Sequence, residues 1–241
     1  MEPIIKFENV FKTFPRNDKK TTEALSDISF TVMEGECFGI LGESGSGKST
    51  IARILAGLIT PTSGSIQVAG HMYSGRANGI PKELIGQLQM VFQNPLESFN
   101  PRRKIGVGIG ESLANKGVNK AIIKEKVDKE LEVCGLPREV ASRYPHQLSG
   151  GQGQRAAIAR ALITEPKIII CDEATSALDV TVQKQIIELL FQLKKERNIT
   201  IIFISHNIPL VEMICDRAMI LKNGRQKGIF QATSTNLIEY F

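Results

Sequence analysis

Apolar and polar positions alternate through the first thirty-odd residues. Ile5, Phe7 and Val10 precede a polar loop, and Leu25, Ile28, Phe30 and Val32 follow it. This period of two predicts two or three antiparallel strands. ECFGIL (36–41) is a short apolar strand, and a glycine-rich loop comes directly after it. In KSTIARILAGLI, Ile51, Ile54, Leu55 and Leu58 have helical spacing, which predicts a helix that stops before Thr60-Pro61. GSIQVAG reads as a further strand, LQMVF (88–92) as another, and residues 71–86 are glycine-rich and ambiguous.

From Asn94 to about Leu162 the pattern turns helical. Ile123, Val127, Leu131 and Cys134 share one face, Asn119 is placed to cap that helix, and Gly135 with Pro137 to end it. A second helix is predicted over Gln152 to Thr164, halted near Pro166. KIIICDE (167–173) and ITIIFISH (199–206) are apolar runs without polar alternation, as expected of strands buried on both faces. A helix at about 181–196 separates them, and AMILKNGRQKG reads as a hairpin turning at Asn223-Gly224. The expected fold is α/β: a P-loop core with a mostly parallel sheet, an N-terminal antiparallel β-subdomain, and an inserted helical subdomain at 94–162. Residues 1–93 and 163–241 form the core. In such sheets ligands bind at the carboxyl ends of the strands, where Gly42, Asp172 and His206 all fall.

Composition narrows the class. The 241 residues are 42% apolar and 23% charged, which is ample for a core and argues against disorder. The net charge of +5 comes from scattered Lys and Arg without a basic block, so no nucleic-acid partner is expected. The cysteines, Cys37, Cys134, Cys171 and Cys215, are too widely spaced for a zinc site or a disulfide framework, and reduced thiols in a cytosolic protein are the simplest reading. Met1 to Lys6 contains no signal-peptide core, and no run approaches the roughly 18 apolar residues of a membrane span.

GESGSGKS matches G-x-x-x-x-G-K-[ST] at Gly42, Gly47, Lys48 and Ser49. Glycines let backbone N–H groups converge on phosphate oxygens, and the helix that follows adds its positive end. Glu43, Ser44, Gly45 and Ser46 complete the loop, Lys48 can reach the β- and γ-phosphates, Ser49 can ligate Mg²⁺, and Thr50 lies well for a further phosphate contact. Asp172, at a strand tip, is a natural Mg²⁺ partner. Glu173 beside it can orient or deprotonate an attacking water. Gln93 and His206 each end an apolar strand, where an amide can bind metal or water and an imidazole can donate to the γ-phosphate.

HQLSGGQGQR (146–155) has the glycines and helix start of an anion site, but no lysine or metal-binding hydroxyl in the P-loop arrangement. Alone it is half a site. With LSGGQ (148–152) in place, the ordered set resembles the nucleotide-binding subunits of ATP-binding cassette transporters. That set is GESGSGKST, Gln93, LSGGQ, IIICDE, SALD (176–179) and His206, and it spans essentially the whole chain. The resemblance implies that two cassettes pack head to tail with ATP and Mg²⁺ between them. Ser149, Gly150, Gly151 and Gln152 would then address the nucleotide held by the opposite subunit, and Asp179 would help couple the two sites. Phe14 stands where the family often stacks an aromatic ring on adenine.

QMVFQNPLESFNPRRKIG (89–106), HQLSGGQ and the run after ISHN look similar to the peptide and nickel importer ATPases. In that group two ATPase subunits serve two transmembrane permease subunits and an extracytoplasmic substrate-binding protein. The chain would lie peripherally on the cytoplasmic face of the membrane, its helical insertion docking a short helix of a permease. The chain departs from the pattern at Gly153, where a charged or polar residue is common, and at Asn207, where Asp is common; neither removes a catalytic group. The end at Phe241, without the C-terminal extension of many peptide importer ATPases, mildly favours a metal or metal-chelate cargo.

Two rival readings fit the sequence less well. A soluble cassette acting on chromosomes would carry long coiled coils between its two nucleotide motifs, but only about 120 residues separate them here and no heptads are sustained. One acting on ribosomes would repeat the cassette, and no internal repeat is present. An exporter cassette is disfavoured by residues 93–106.

Overall fold

The computed structural model describes residues 2–15, 21–74, 81–174 and 178–232. Among the described residues, ten strands and six α-helices follow the order β1 (Ile5–Pro15), β2 (Thr21–Val32), β3 (Cys37–Leu41), α1 (Lys48–Leu55), β4 (Ser63–Val68), β5 (His71–Ser74), β6 (Leu88–Val91), α2 (Ile105–Asn115), α3 (Lys120–Val133), α4 (Gly150–Leu162), β7 (Ile168–Asp172), α5 (Val180–Arg197), β8 (Thr200–Ser205), α6 (Ile208–Ile214), β9 (Arg217–Lys222) and β10 (Arg225–Gln231).

The strands form one ten-stranded sheet in the order β5-β4-β1-β2-β10-β9-β3-β8-β7-β6. The two runs without alternation are its centre. β7 and β8 are buried along nearly their whole length and pair in parallel, with β3 beyond β8 and β6 beyond β7. The alternating N-terminal strands pair antiparallel, as period-two patterning requires of a half-covered sheet. The β9–β10 hairpin joins the halves: β9 is parallel to β3, and β10 meets β2 at a single pair, Arg225 with Ser26. The expected α/β architecture with a mixed sheet is thus present. The ambiguous stretch supplies β5, a short edge strand.

Each face of the sheet has its own core. One is built on Phe7, Phe30 and Phe38, whose rings stack at 4.5 and 5.3 Å between centroids, and it is covered by α1. The other runs from β7 and β8 through α4 and α5 into α2 and α3, joining the helical segment to the sheet. Val127, Leu131 and Cys134 are buried on one face of α3, with Ile123 partly buried beside them. All four cysteines are buried free thiols.

Helix limits differ from the predicted ones where local chemistry acts. The first helix ends at Leu55 rather than near Ile59, because Gly57 turns left-handed at φ +67°. The helix predicted from Gln152 begins at Gly150, two residues earlier. Ser149 caps it by accepting from the Gln152 N–H while the Gln152 side chain accepts from the Ser149 N–H. Asn119 caps α3 as expected, through the Ala121 N–H at 2.8 Å, and Gly135 follows the helix end with φ +68°.

Candidate active site

Parallel pairing sends the carboxyl ends of β3, β8, β7 and β6 to one edge of the sheet, and the predicted residues lie along it. The loop 42–47 leaves β3 and enters α1 at Lys48. Gly45 and Gly47 hold φ of +80° and +108° there, values that a side chain would strain. At Gly47 a Cβ would also come within 2.7 Å of the Ala24 carbonyl. Glu43, Ser44 and Gly45 face solvent, while Ser46 and Lys48 are buried, Lys48 to 4% exposure. The Lys48 ammonium donates to the carbonyls of Gly42 and Glu43, at 2.7 and 2.8 Å, so the loop is folded around its lysine. Burial lowers the Lys48 pKa, with the Glu173 and Asp172 carboxylates acting in the opposite sense. The Ser46 hydroxyl is buried without a hydrogen-bond partner. Ser49 donates to Asp172 Oδ1 at 3.3 Å. Burial raises the Asp172 pKa, the Ser49 bond opposing it.

Glu173 is the point of convergence. Its Oε1 lies 3.9 Å from the Lys48 ammonium and 3.5 Å from His206 Nδ1, and its Oε2 accepts from the Gln93 amide at 3.3 Å. The P-loop lysine and two residues that are ordinary strand-end side chains when read singly therefore meet on one carboxylate. Glu173 gets there by leaving strand geometry: its backbone takes φ +49°, and its N–H donates to the Ile204 carbonyl at 3.1 Å. In regular extended backbone it would point away from Asp172.

The LSGGQ segment stands apart. Ser149 and Gly150 are exposed at the start of α4, and among the described residues no hydrogen bond or ion pair joins 148–152 to 42–50. Gly151 packs against α5, where a Cβ would come within 2.6 Å of Val182 Cγ1. Asp179 is exposed and caps α5 through the Val182 N–H at 3.0 Å; Ser176 and Ala177 of SALD lie outside the described residues. Phe14 is 37% exposed on β1 with the Lys12 ammonium 4.9 Å from its ring centre.

Sequence reasoning missed a buttress behind the loop. The turn of the β9–β10 hairpin reaches the P-loop: the Gly224 N–H donates to the Ser46 carbonyl at 2.9 Å, and the Gly224 carbonyl accepts from the Ser26 N–H at 2.8 Å. The Asn-Gly pair signalled a turn but nothing about what the turn touches. Gly224 has φ +73°, and a Cβ there would come within 2.7 Å of the Ala24 carbonyl. Gly224→Ala is expected to destabilise the chain by about 1–3 kcal/mol. It should also weaken nucleotide binding, because the clash displaces the turn from Ser46. Thermal denaturation and equilibrium ATP binding check the two effects; loss of stability with full ATP affinity would mean that the loop stands without this support.

Comparison with known proteins agrees with the geometry. The family model described as ABC transporter matches residues 25–176, more than half of the chain. The oligopeptide transport ATP-binding protein OppF of Haemophilus influenzae is 44% identical over 218 residues, covering 87% of this chain and 66% of the relative. The di/tripeptide transport ATP-binding protein DppF of Pseudomonas aeruginosa is 42% identical over 203 residues, covering 84% of this chain and 63% of the relative. The chain thus spans somewhat less than two thirds of the length of these relatives. Among solved structures, the ATP-binding cassette MJ0796, captured as a dimer in a post-hydrolysis state with ADP and Pi, superposes with a TM-score of 0.84 at 30% identity. The match covers 95% of this chain and 98% of that one. The cassette cbiO1 of Clostridium perfringens, part of the transporter complex cbiONQ, gives a TM-score of 0.84 at 31% identity over 97% of this chain and 90% of its own. On the matching family model, on relatives above 40% identity and on a shared fold, the chain belongs to the ABC transporter family.

Proposed function

We propose that the chain is the ATP-hydrolysing subunit of an importer, with Glu173 as general base, working as one of two cassettes on membrane partners. The observation that carries the catalytic reading is the meeting of Lys48, Gln93 and His206 on Glu173 beside the P-loop. Lys48, held by two carbonyls at the root of the loop, is placed to bind phosphate oxygens. Glu173 would take the proton of the attacking water, with the Gln93 amide and the His206 imidazole holding its carboxylate in position.

The residues fit Mg²⁺. Ser49 and Asp172 offer a hydroxyl and a carboxylate oxygen 3.3 Å apart, the hard oxygen donors this ion takes, and the buried Ser46 hydroxyl awaits a partner in the same loop. When bound, Mg²⁺ would neutralise charge on the phosphates. Gln93 is a further candidate at its edge.

Ser149 and Gly150, exposed, with Gly151 and Gln152 half-buried beside them and all four unconnected to the P-loop of their own chain, are read as the cover for the nucleotide of a second cassette. Asp179 is read as a coupling residue near the same face and Phe14 as an adenine contact. The helical segment 94–162 is read as a subdomain that docks on a transmembrane permease subunit, two of which would work with an extracytoplasmic binding protein. No helix among the described residues is long and apolar enough to cross a membrane, so attachment at the cytoplasmic face would come through those partners.

Peptides are the favoured cargo, because relatives matching most of this chain are named for oligopeptide and di/tripeptide transport. The test is to purify the chain from membranes with its associated proteins, rebuild the complex in vesicles, and measure ATP-dependent uptake of di-, tri- and oligopeptides and of Ni²⁺ chelates. Peptide uptake is expected. Chelate uptake would move the cargo to metals, and ATP-driven efflux would overturn the importer reading.

A further inference from the structure

Between Gln93 and α2 runs a strap, residues 94–99, for which the catalytic reading supplies no purpose. Its short turn Pro95–Ser98 sets Leu96 on Gly153 of α4, where a Cβ would come within 2.7 Å of Leu96 Cδ2. A bare backbone at position 153 therefore lets the strap lie down on the helix, which accounts physically for the departure noted at Gly153. Phe99 is buried and wedged against Gly108 of α2, where a Cβ would come within 2.6 Å of its ring. Arg160 stands two turns along α4 from Gly153, on the same face. Its guanidinium donates to the Ser98 carbonyl and lies over the Phe99 ring, 4.7 Å from the centroid. Among the described residues no carboxylate lies within ion-pair distance of Arg160. The direct contacts of the guanidinium are one carbonyl and one ring face, both on the strap, while the Glu111 carboxylate acts on its charge from beyond ion-pair distance.

We infer that Arg160 is a positioning residue for hydrolysis: it pins the strap to α4 and so fixes the Gln93 amide against the Glu173 carboxylate. Leu96 and Phe99 seat the strap by apolar packing, and the Arg160 bond is its polar tie to α4, since the polar contacts of Asn94 and of the Ser98 hydroxyl are internal to it. Asn94 donates to Glu97, and the Ser98 hydroxyl donates to the Pro95 carbonyl. Arg160 belongs to the helix that Ser149 caps, so one rigid element carries both the LSGGQ segment and the anchor of the strap behind Gln93. A shift of α4 would be transmitted to the glutamate through this clamp.

The inference rests on the reading of Glu173 as base, and its test separates the two. Steady-state ATP hydrolysis and equilibrium ATP binding are measured on the purified full-length chain for wild type, R160A, R160K, Q93A and the double variant R160A/Q93A. R160A is expected to lower kcat about tenfold while ATP affinity stays within about twofold, since no P-loop contact changes. R160K, which can still donate to the Ser98 carbonyl, should recover a large part of that loss. In the Q93A background, R160A should cost less than about a further twofold, because both changes remove one arrangement. Losses that multiply in the double variant, a fall in ATP affinity matching the fall in kcat, or full activity of Q93A would each overturn the inference. Should R160A fail to fold, R160M, which keeps bulk but cannot donate to the Ser98 carbonyl, and F99L carry the same cycle. E173Q, run alongside, reports on the underlying reading: normal turnover there removes the base, whereas an inert E173Q with a multiplicative cycle removes only the role of Arg160.

Discussion

Glu173→Gln will leave ATP binding nearly intact and slow hydrolysis about 10²- to 10⁴-fold, the range that a lost general base produces. The substitution keeps the shape of the side chain and removes only its capacity to take a proton. Lys48 stays folded into the loop, because its two short bonds go to the carbonyls of Gly42 and Glu43 rather than to the 3.9 Å Glu173 pair. Asp172 remains beside Ser49. Equilibrium binding of ATP and steady-state phosphate release separate the two effects. Turnover near that of wild type would place the base elsewhere and leave Glu173 as a brace between Gln93 and His206.

Ser149→Arg should abolish ATP-driven dimerisation while the lone chain still binds ATP. Ser149 is exposed, and no bond from its segment reaches the P-loop, so a cationic chain there disturbs nothing in the nucleotide site of its own subunit. Across a two-cassette interface it would fill the space intended for phosphate. The change also removes the cap of α4, at a cost of about 1 kcal/mol, so a small fall in Tm accompanies it. Ser149→Asn, a capping residue without the added bulk and charge, controls for that fall. Sedimentation of the Glu173→Gln background with ATP, with and without the arginine, gives the answer. A dimer that persists would show that residues 148–152 do not lie between subunits.

How much of this could be read from the chain follows from the range of each interaction. The strand tips were legible, because a strand buried on both faces writes an unbroken apolar run, and the polar residue that ends the run marks the sheet edge. Gly42, Asp172 and His206 fall together at that edge by this pattern alone. The P-loop and the cap at Asn119 were legible for a related reason: each is made among residues a few positions apart. Contacts between distant segments left no such mark. Gln93 and Glu173 are eighty positions apart, and nothing near either says that they touch. Arg160 sits in an alanine-rich run that looks like any buried helix, and its partner Ser98 lies sixty-two positions away. The missing side chain at Gly153 was visible as a departure, but its meaning, a seat for Leu96, needed the fold.

The left-handed backbone at Glu173 and the half-buried carboxylate of Asp172 have a common consequence. A side chain other than glycine at φ +49° costs on the order of 1 kcal/mol, and burial penalises the charge at the neighbouring position. The tip of β7 thus sets backbone strain and a penalised charge on two adjacent residues. A screen that rewarded heat resistance and ignored turnover would rewrite this tip early, toward glycine at 173 and asparagine at 172. It would yield cassettes that melt later and no longer work. Any effort to stabilise this protein should therefore hold these two positions fixed and look for its gains on the far faces of the sheet.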